Sequence, residues 1–262
     1  MKIEQIYTGC LAQGAYYIES NGEAAIVDPL REVEPYIAMA RKNGAVIKYI
    51  FETHFHADFV SGHVDLAKMT GAKIVYGPTV MKTGFDAYIG KDGEEFKLGD
   101  IVIRLIHTPG HTMESSCFLL KDEKGVEKAI FTGDTLFIGD CGRPDLREQA
   151  GAITAGRAEL TKLMYHSLRN KYLQLSDSVI VYPAHGAGSL CGKGLSEASS
   201  STMGAEKLTN WSLQNLSETE FVNSLLKDQP YVPKYFPHDV SINKKGAANF
   251  AESLKAIEIR EA

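Results

Sequence analysis

Cysteine is scarce in this chain of 262 residues: there are four, Cys10, Cys117, Cys141 and Cys191, and no two form a C-x-x-C pair. So few, so scattered, argue against a disulfide framework and predict free thiols. No apolar run is long enough to span a bilayer, and the opening Met1-Lys2-Ile3-Glu4-Gln5-Ile6 lacks an apolar signal region, so a cytoplasmic location without membrane contact is expected. An excess of positive over negative charge is also lacking. A formal net charge of -5 supplies no general attraction to nucleic acid. There is no repeat of fixed period, and the one biased stretch, Ser196 to Thr202, reads as a loop. What remains is an ordinary globular composition, 44% apolar and 23% charged, long enough for a sizeable core.

The first third alternates strand and helix. Residues 15–19 and 24–27 flank the hairpin turn Asn21-Gly22. Residues 33–42 carry an amphipathic helical pattern closed by Asn43-Gly44. Val46 to Phe51 is a strand, Ser61 is placed to cap a helix that Gly71 ends, and Lys73 to Tyr76 is a further strand. The middle is a run of strands at 95–97, 101–108, 116–121 and 128–132, followed by a helix at about 155–170 and a strand at 179–182. Ser217-Glu218-Thr219-Glu220 has the capping-box spacing, and the run from Pro230 to Pro237 reads as an ordered connector. Strand-rich segments, each half with its own helices, predict two sheets packed together with helices outside.

Four apolar segments each end in a polar turn. They deliver Thr53-His54-Phe55-His56-Ala57-Asp58-Phe59, Thr108-Pro109-Gly110-His111-Thr112, Thr132-Gly133-Asp134 and Pro183-Ala184-His185-Gly186. One histidine on a loop means little; four such strand ends in one chain point to a metal centre. Phe59 stands where a second metal would want another imidazole, and phenylalanine cannot ligate, so one metal ion rather than two is expected.

These motifs, in this order, resemble the metallo-β-lactamase superfamily over about residues 1–225. The resemblance implies an α+β fold: an αββα sandwich of two mixed sheets flanked by helices, with the metal at one edge between the sheets. In two-metal members the first ion takes counterparts of His54, His56, His111 and Asp134, and the second takes counterparts of Asp58, Phe59, His185 and Asp134. Within the superfamily, Phe137-Ile138-Gly139-Asp140-Cys141-Gly142-Arg143-Pro144-Asp145 and the His54–His63 run resemble the persulfide dioxygenases of a bacterial branch often fused to rhodanese domains. That implies one Fe(II) per chain on His54, His111 and Asp134, a 2-His-1-carboxylate triad with three positions open. The implied reaction is O2-dependent oxidation of a small thiol persulfide to sulfite or thiosulfate plus thiol, as part of sulfide detoxification. His56, Asp58 and His185 are then expected to orient ligands or water, or else to ligate directly, in which case a bound His56 leaves two positions open. The chain divides on this reading into a domain over 1–225 and a helical extension over 226–262, which either closes a stand-alone enzyme or leads to a rhodanese domain outside this chain. A sulfurtransferase partner and a homo-oligomer are also expected.

Two substrate groups follow. Arg143 is placed to grip an anionic thiol by two parallel bonds, or else to pair with Asp140 or Asp145. Cys191, in the glycine-rich Gly186–Gly194 loop, is a candidate catalytic thiol whose ionisation Lys193 would favour, or else an idle one. Lys193 itself is a candidate for substrate binding. The alternative activity is that of a zinc-dependent thioester hydrolase of the glyoxalase II kind. A non-catalytic sulfane-sulfur carrier through Cys191 is the third reading.

Overall fold

The computed structural model describes residues 1–80, 82–145, 156–229 and 231–255. Strand β1 (Lys2–Thr8) pairs antiparallel with β2 (Gln13–Ser20), and Asn21-Gly22, both at positive φ, turn the chain into β3 (Glu23–Val27). Helix α1 (Glu34–Asn43) ends at Gly44, whose left-handed φ of 67° lets its N–H reach the carbonyls of Ala40 and Arg41. Strand β4 (Val46–Phe51), helix α2 (His63–Thr70), β5 (Lys73–Tyr76) and the short β6 (Tyr88–Ile89) complete a sheet of order β1-β2-β3-β4-β5-β6.

The second sheet is built from β7 (Glu95–Leu98), β8 (Ile101–His107), β9 (Ser116–Lys121) and β10 (Glu127–Gly133), followed by β11 (Ile180–Pro183) and β12 (Ser201–Thr202). Its order is β12-β11-β10-β9-β8-β7, antiparallel except at the parallel β10–β11 pair. The first sheet is parallel across β3 to β6, so both sheets are mixed. Helix α3 (Arg157–Ser167) runs into a π-helical turn at Leu168–Tyr172, and α4 (Met203–Thr209), α5 (Glu218–Leu226), α6 (Phe236–Lys245) and α7 (Phe250–Lys255) follow.

Alternating side chains explain the layering. Tyr16, Ile18, Val27, Phe51 and Val75 of the first sheet face Phe96, Ile103, Leu105, Phe118 and Phe131 of the second in one buried cluster, with the rings of Phe51 and Phe118 4.6 Å apart. The opposite face of the first sheet buries Tyr36, Ile37 and Leu66 of α1 and α2. That of the second buries Met164, Tyr172 and Phe221. The expected αββα sandwich is therefore observed.

Local departures have local causes. Gly62, where a Cβ would lie 2.2 Å from the carbonyl oxygen of Leu30, holds the N-cap position of α2, while the buried Ser61 hydroxyl one residue earlier accepts from the N–H of His63 (3.3 Å) and donates to Glu52 (2.6 Å). The Ser-rich stretch is not all loop, since Ser201 and Thr202 add an edge to β11 and the Thr202 hydroxyl accepts from Ala205 to cap α4. Of the expected helix at 155–170, residue 155 lies outside the described residues, as does Pro230 of the proline-rich run. That run ends as the first turn of α6, where Pro237 is tolerated. The capping box Ser217/Glu220 forms as the spacing predicts. Helix α5 runs across the expected boundary at residue 225. All four cysteines are free. Among the described residues no helix is long and apolar enough to cross a membrane.

Candidate metal centre

The C-terminal ends of β4, β8, β10 and β11 lie at one edge of the sandwich, and each delivers its polar turn there. The His54 Nε2 is 4.0 Å and the His111 Nε2 3.5 Å from the Asp134 Oδ2. All three side chains are buried, and the Asp134 Oδ2 has no hydrogen-bond partner. Separations too long for good hydrogen bonds, around a buried unpartnered carboxylate oxygen, fit a site where these three side chains would hold a cation.

Both imidazoles are aimed from behind. Asp28 accepts from the backbone N–H of Thr53 (2.8 Å) and from its hydroxyl (2.8 Å), which leaves the Thr53 oxygen to accept from the His54 Nδ1 at 3.0 Å. The Nε2 then carries the lone pair. His111 donates its Nδ1 proton to the carbonyl of Arg143 (2.7 Å), with the same result. Gly133, at φ 53°, sits where a Cβ would be 2.6 Å from the Thr53 side chain, so the Asp134 and His54 turns close tightly only on glycine. Burial opposes ionisation of Asp134, but the imidazoles of His185, His111 and His54 outweigh it and hold its carboxyl far below the usual range.

A second set of donors adjoins the first. His185 lies between two carboxylates, its Nδ1 2.8 Å from the Asp134 Oδ1 and its Nε2 2.8 Å from the Asp58 Oδ2. Burial works against charging His185, yet Asp134 and Asp58 together push its pKa well above the ordinary value. One ligand atom each from Asp58, His185 and Cys191 lie within 4.8 Å of one another, as do those of His54, His111 and Asp134. Asp58 and His185 are therefore potential ligands themselves as well as orienting groups.

His56 belongs to a third buried group. Its Nε2 is 3.1 Å from Asp28 and 3.6 Å from Glu52, while its ring lies 4.2 Å from that of His54. Burial resists protonation of His56, but Asp28 and Glu52 raise its pKa to about 9. Phe59 stacks on the same ring at 4.3 Å between centroids.

The two cationic side chains expected at the substrate are engaged elsewhere. Arg143 is 1% exposed; its Nε and Nη2 pair with the Asp145 carboxylate at 2.7 Å each, and its Nη1 donates to the carbonyl of Leu190 (3.2 Å). The guanidinium thus splints two loops, and it is the Arg143 carbonyl that serves the centre. The Lys193 ammonium turns to the carbonyls of Ser224 and Lys227, and only its backbone N–H faces inward, onto Asp140. The Cys191 thiol pKa is raised well above the ordinary value, by burial and then by Asp134 and Asp58. Sequence reasoning missed Asp28, Glu52 and Asn243. Asp28 ends a strand before a proline, like the other turns, and that was a usable signal. A cavity of 770 Å³ lined by Val64, Phe85, Tyr88 and Lys245, among others, shares no residue with these donors.

Fold and site together define a protein of the metal-binding αββα class. The family model described as "Metallo-beta-lactamase superfamily" matches residues 8–185, and the chain belongs to that superfamily. A curated relative, the cytoplasmic hydroxyacylglutathione hydrolase of Arabidopsis thaliana, is 36% identical over 147 residues, which are 55% of this chain and 56% of that protein. The chain thus spans little more than half the length of this relative. Among solved structures, a metallo-beta-lactamase from Staphylococcus aureus subsp. aureus COL is 36% identical with a TM-score of 0.89, covering 95% of this chain and 74% of that one. ETHE1 from Myxococcus xanthus is 25% identical with a TM-score of 0.78, covering 94% and 99%.

These relationships correct the expected chemistry. Curated relatives at 31–40% identity are named hydroxyacylglutathione hydrolases, some of them as probable ones. The expected oxidoreductase, a persulfide dioxygenase with a single Fe(II), does not agree with them. The physical weakness of that expectation is its reliance on Phe59. The loss of one imidazole does not by itself remove a second cation position, because Asp58, His185 and Cys191 remain gathered there.

Proposed function

We propose that this protein is a metal-dependent thioester hydrolase that cleaves acyl esters of a small thiol of the glutathione kind. The reading is carried by the juxtaposition of the His54–His111–Asp134 donors with the Asp58–His185 pair, in a chain whose relatives at 31–40% identity are named hydroxyacylglutathione hydrolases. Imidazole nitrogens and carboxylate oxygens are donors that zinc accepts. A divalent cation bound there supplies Lewis acidity, lowering the pKa of water and polarising the thioester carbonyl.

The chain's own groups manage orientation. Thr53 and the Arg143 carbonyl fix the two imidazoles, so the donor geometry needs little rearrangement. The Asp58 Oδ2 is tied to His185, while its Oδ1 is buried without a hydrogen-bond partner. A water oxygen bonds to the acyl carbon as its proton passes to solvent. The carbon–sulfur bond then breaks, the departing thiolate takes a proton from solvent, and free acid and thiol leave.

The test is hydrolysis of a hydroxyacyl-glutathione thioester by zinc-loaded protein, followed by loss of thioester absorbance under anaerobic conditions. Turnover without oxygen, abolished in Asp134→Ala, is the expected result. Failure of the metal-loaded protein to hydrolyse a panel of acyl thioesters refutes the reading.

A further inference from the structure

Phe59 leaves the second donor set one imidazole short, and its buried ring is committed to packing on His56. Even so, that corner of the molecule is not apolar. The Asp58 Oδ1 and the Asp134 Oδ2 are buried carboxylate oxygens without hydrogen-bond partners, and His185 lies between the two carboxyl groups. Buried acceptors of this kind are costly unless something positive meets them. The remaining donor at hand is sulfur: Cys191, 2% exposed, converges with Asp58 and His185.

We infer that Cys191 is a metal ligand, its thiolate joining Asp58 and His185 to form a second cation position beside that of His54, His111 and Asp134. The sulfur takes over, from a different loop, the part that Phe59 cannot play. This rests on the metal-dependent hydrolase reading above, because it needs a divalent cation at the neighbouring donors.

The surroundings of Cys191 are built to hold it in place. Its carbonyl accepts from the backbone of Arg143 (3.2 Å), and its own N–H donates to the Ser189 hydroxyl (3.1 Å). On the far side, the Asp140 Oδ2 accepts from the N–H groups of Lys193 and Gly194 at 2.9 Å each, while its Oδ1 accepts from the Trp211 indole at 2.7 Å. Ala57, Phe137 and Phe236 pack in the same buried cluster as Cys191 and shield it from water. A thiolate, an imidazole and a carboxylate form a donor set suited to zinc or cobalt. On binding, the S–H bond is replaced by a sulfur–metal bond and one proton passes to solvent, with no change of oxidation state.

The experiment uses the full chain, stripped of metal and reloaded with cobalt(II). Sulfur ligation gives a near-ultraviolet sulfur-to-cobalt charge-transfer band, and metal retained after desalting is counted by mass spectrometry. Wild type is expected to show the band. Cys191→Ser, close in size, and Cys191→Ala are expected to lose it, and Cys191→Ala to retain about half the metal per chain. Adding Phe59→His to Cys191→Ala is expected to restore the metal without the band, which separates a lost ligand from a damaged fold. A wild-type protein with no such band, or a Cys191→Ala protein with full metal content, overturns the inference. The two proposals fail separately: a wild type that shows the band but hydrolyses no thioester sinks the hydrolase reading and leaves the ligand in place.

Discussion

Asn243, 187 residues downstream of His56, donates a 2.8 Å hydrogen bond to its carbonyl. The same amide donates to the carbonyl of Phe59 (2.8 Å) and accepts from the N–H of Ser61 (2.8 Å), all within buried surroundings. Helix α6 therefore supplies the hydrogen bonds that the metal loop, having no strand partner, cannot make for itself. Asn243→Ala leaves three backbone groups of that loop without partners. It is expected to cost about 2–4 kcal/mol of stability, measured by urea unfolding, and to weaken metal binding about 10–100-fold, measured against a competing chelator.

The Asp28–Thr53–His54 chain makes a separate prediction. Thr53→Val keeps the side-chain volume but removes the oxygen that accepts from His54 and donates to Asp28. Metal affinity is expected to fall about 10–100-fold. Because Thr53 touches no substrate in the proposed reaction, the KM of metal-saturated protein should stay close to wild type, and a KM-specific defect would count against this role.

Much of this arrangement was legible beforehand because each ligand turn obeys a local rule: an apolar strand ends, and a glycine or proline turn presents one polar group. Asp134 and His185 are readable in this way, and so is the αββα layering. Asn243 was not, because nothing local distinguishes an asparagine that turns inward from one on a solvated helix face; its role exists only once α6 docks on residues 56–61. Arg143 misled for a related reason. The same guanidinium fork suits a substrate anion and a neighbouring carboxylate, and Asp145, two residues away, occupies it. Phe59 misled because a missing ligand in one segment says nothing about a donor brought in by another, such as Cys191.

Metal removal should be visible as lost stability, since the donor set is assembled only in the folded chain. With free zinc at a hundred times its Kd, the holo protein is expected to be more stable than the metal-free protein by about 2.7 kcal/mol. Thermal unfolding across a zinc titration measures this. In Asp134→Ala, which lacks the carboxylate that faces both His54 and His111, the rise of Tm with zinc should shrink, leaving only what the Asp58, His185 and Cys191 donors supply.

His63 supplies a pH prediction. Burial, then the neighbouring His56 and Arg31, lower its pKa from 6.5 to about 3, and its ring packs on Phe85 at 4.6 Å between centroids. As the pH falls through 6.5 the unfolded chain binds a proton that the folded chain refuses. Stability from this residue is therefore complete above pH 6.5 and is lost progressively down to about 3, with a limiting slope of about 1.4 kcal/mol per pH unit. Urea unfolding as a function of pH should show a shallower acid slope in His63→Phe than in wild type by up to that amount.

Arg143 separates a structural role from a substrate-binding one. Its guanidinium is buried against Asp145 and the carbonyl of Leu190, and its own carbonyl aims His111. Arg143→Ala removes one partner of a buried ion pair and leaves the other charge uncompensated, so a loss of about 3–5 kcal/mol is expected. Arg143→Lys keeps the charge but cannot make both parallel bonds and reach Leu190 at once, so it should fall between wild type and alanine. Urea unfolding of both variants, set beside thioester kinetics on the folded fraction, decides the matter. A splint lowers stability and metal affinity together and leaves KM nearly unchanged, whereas a substrate clamp would raise KM at unchanged stability.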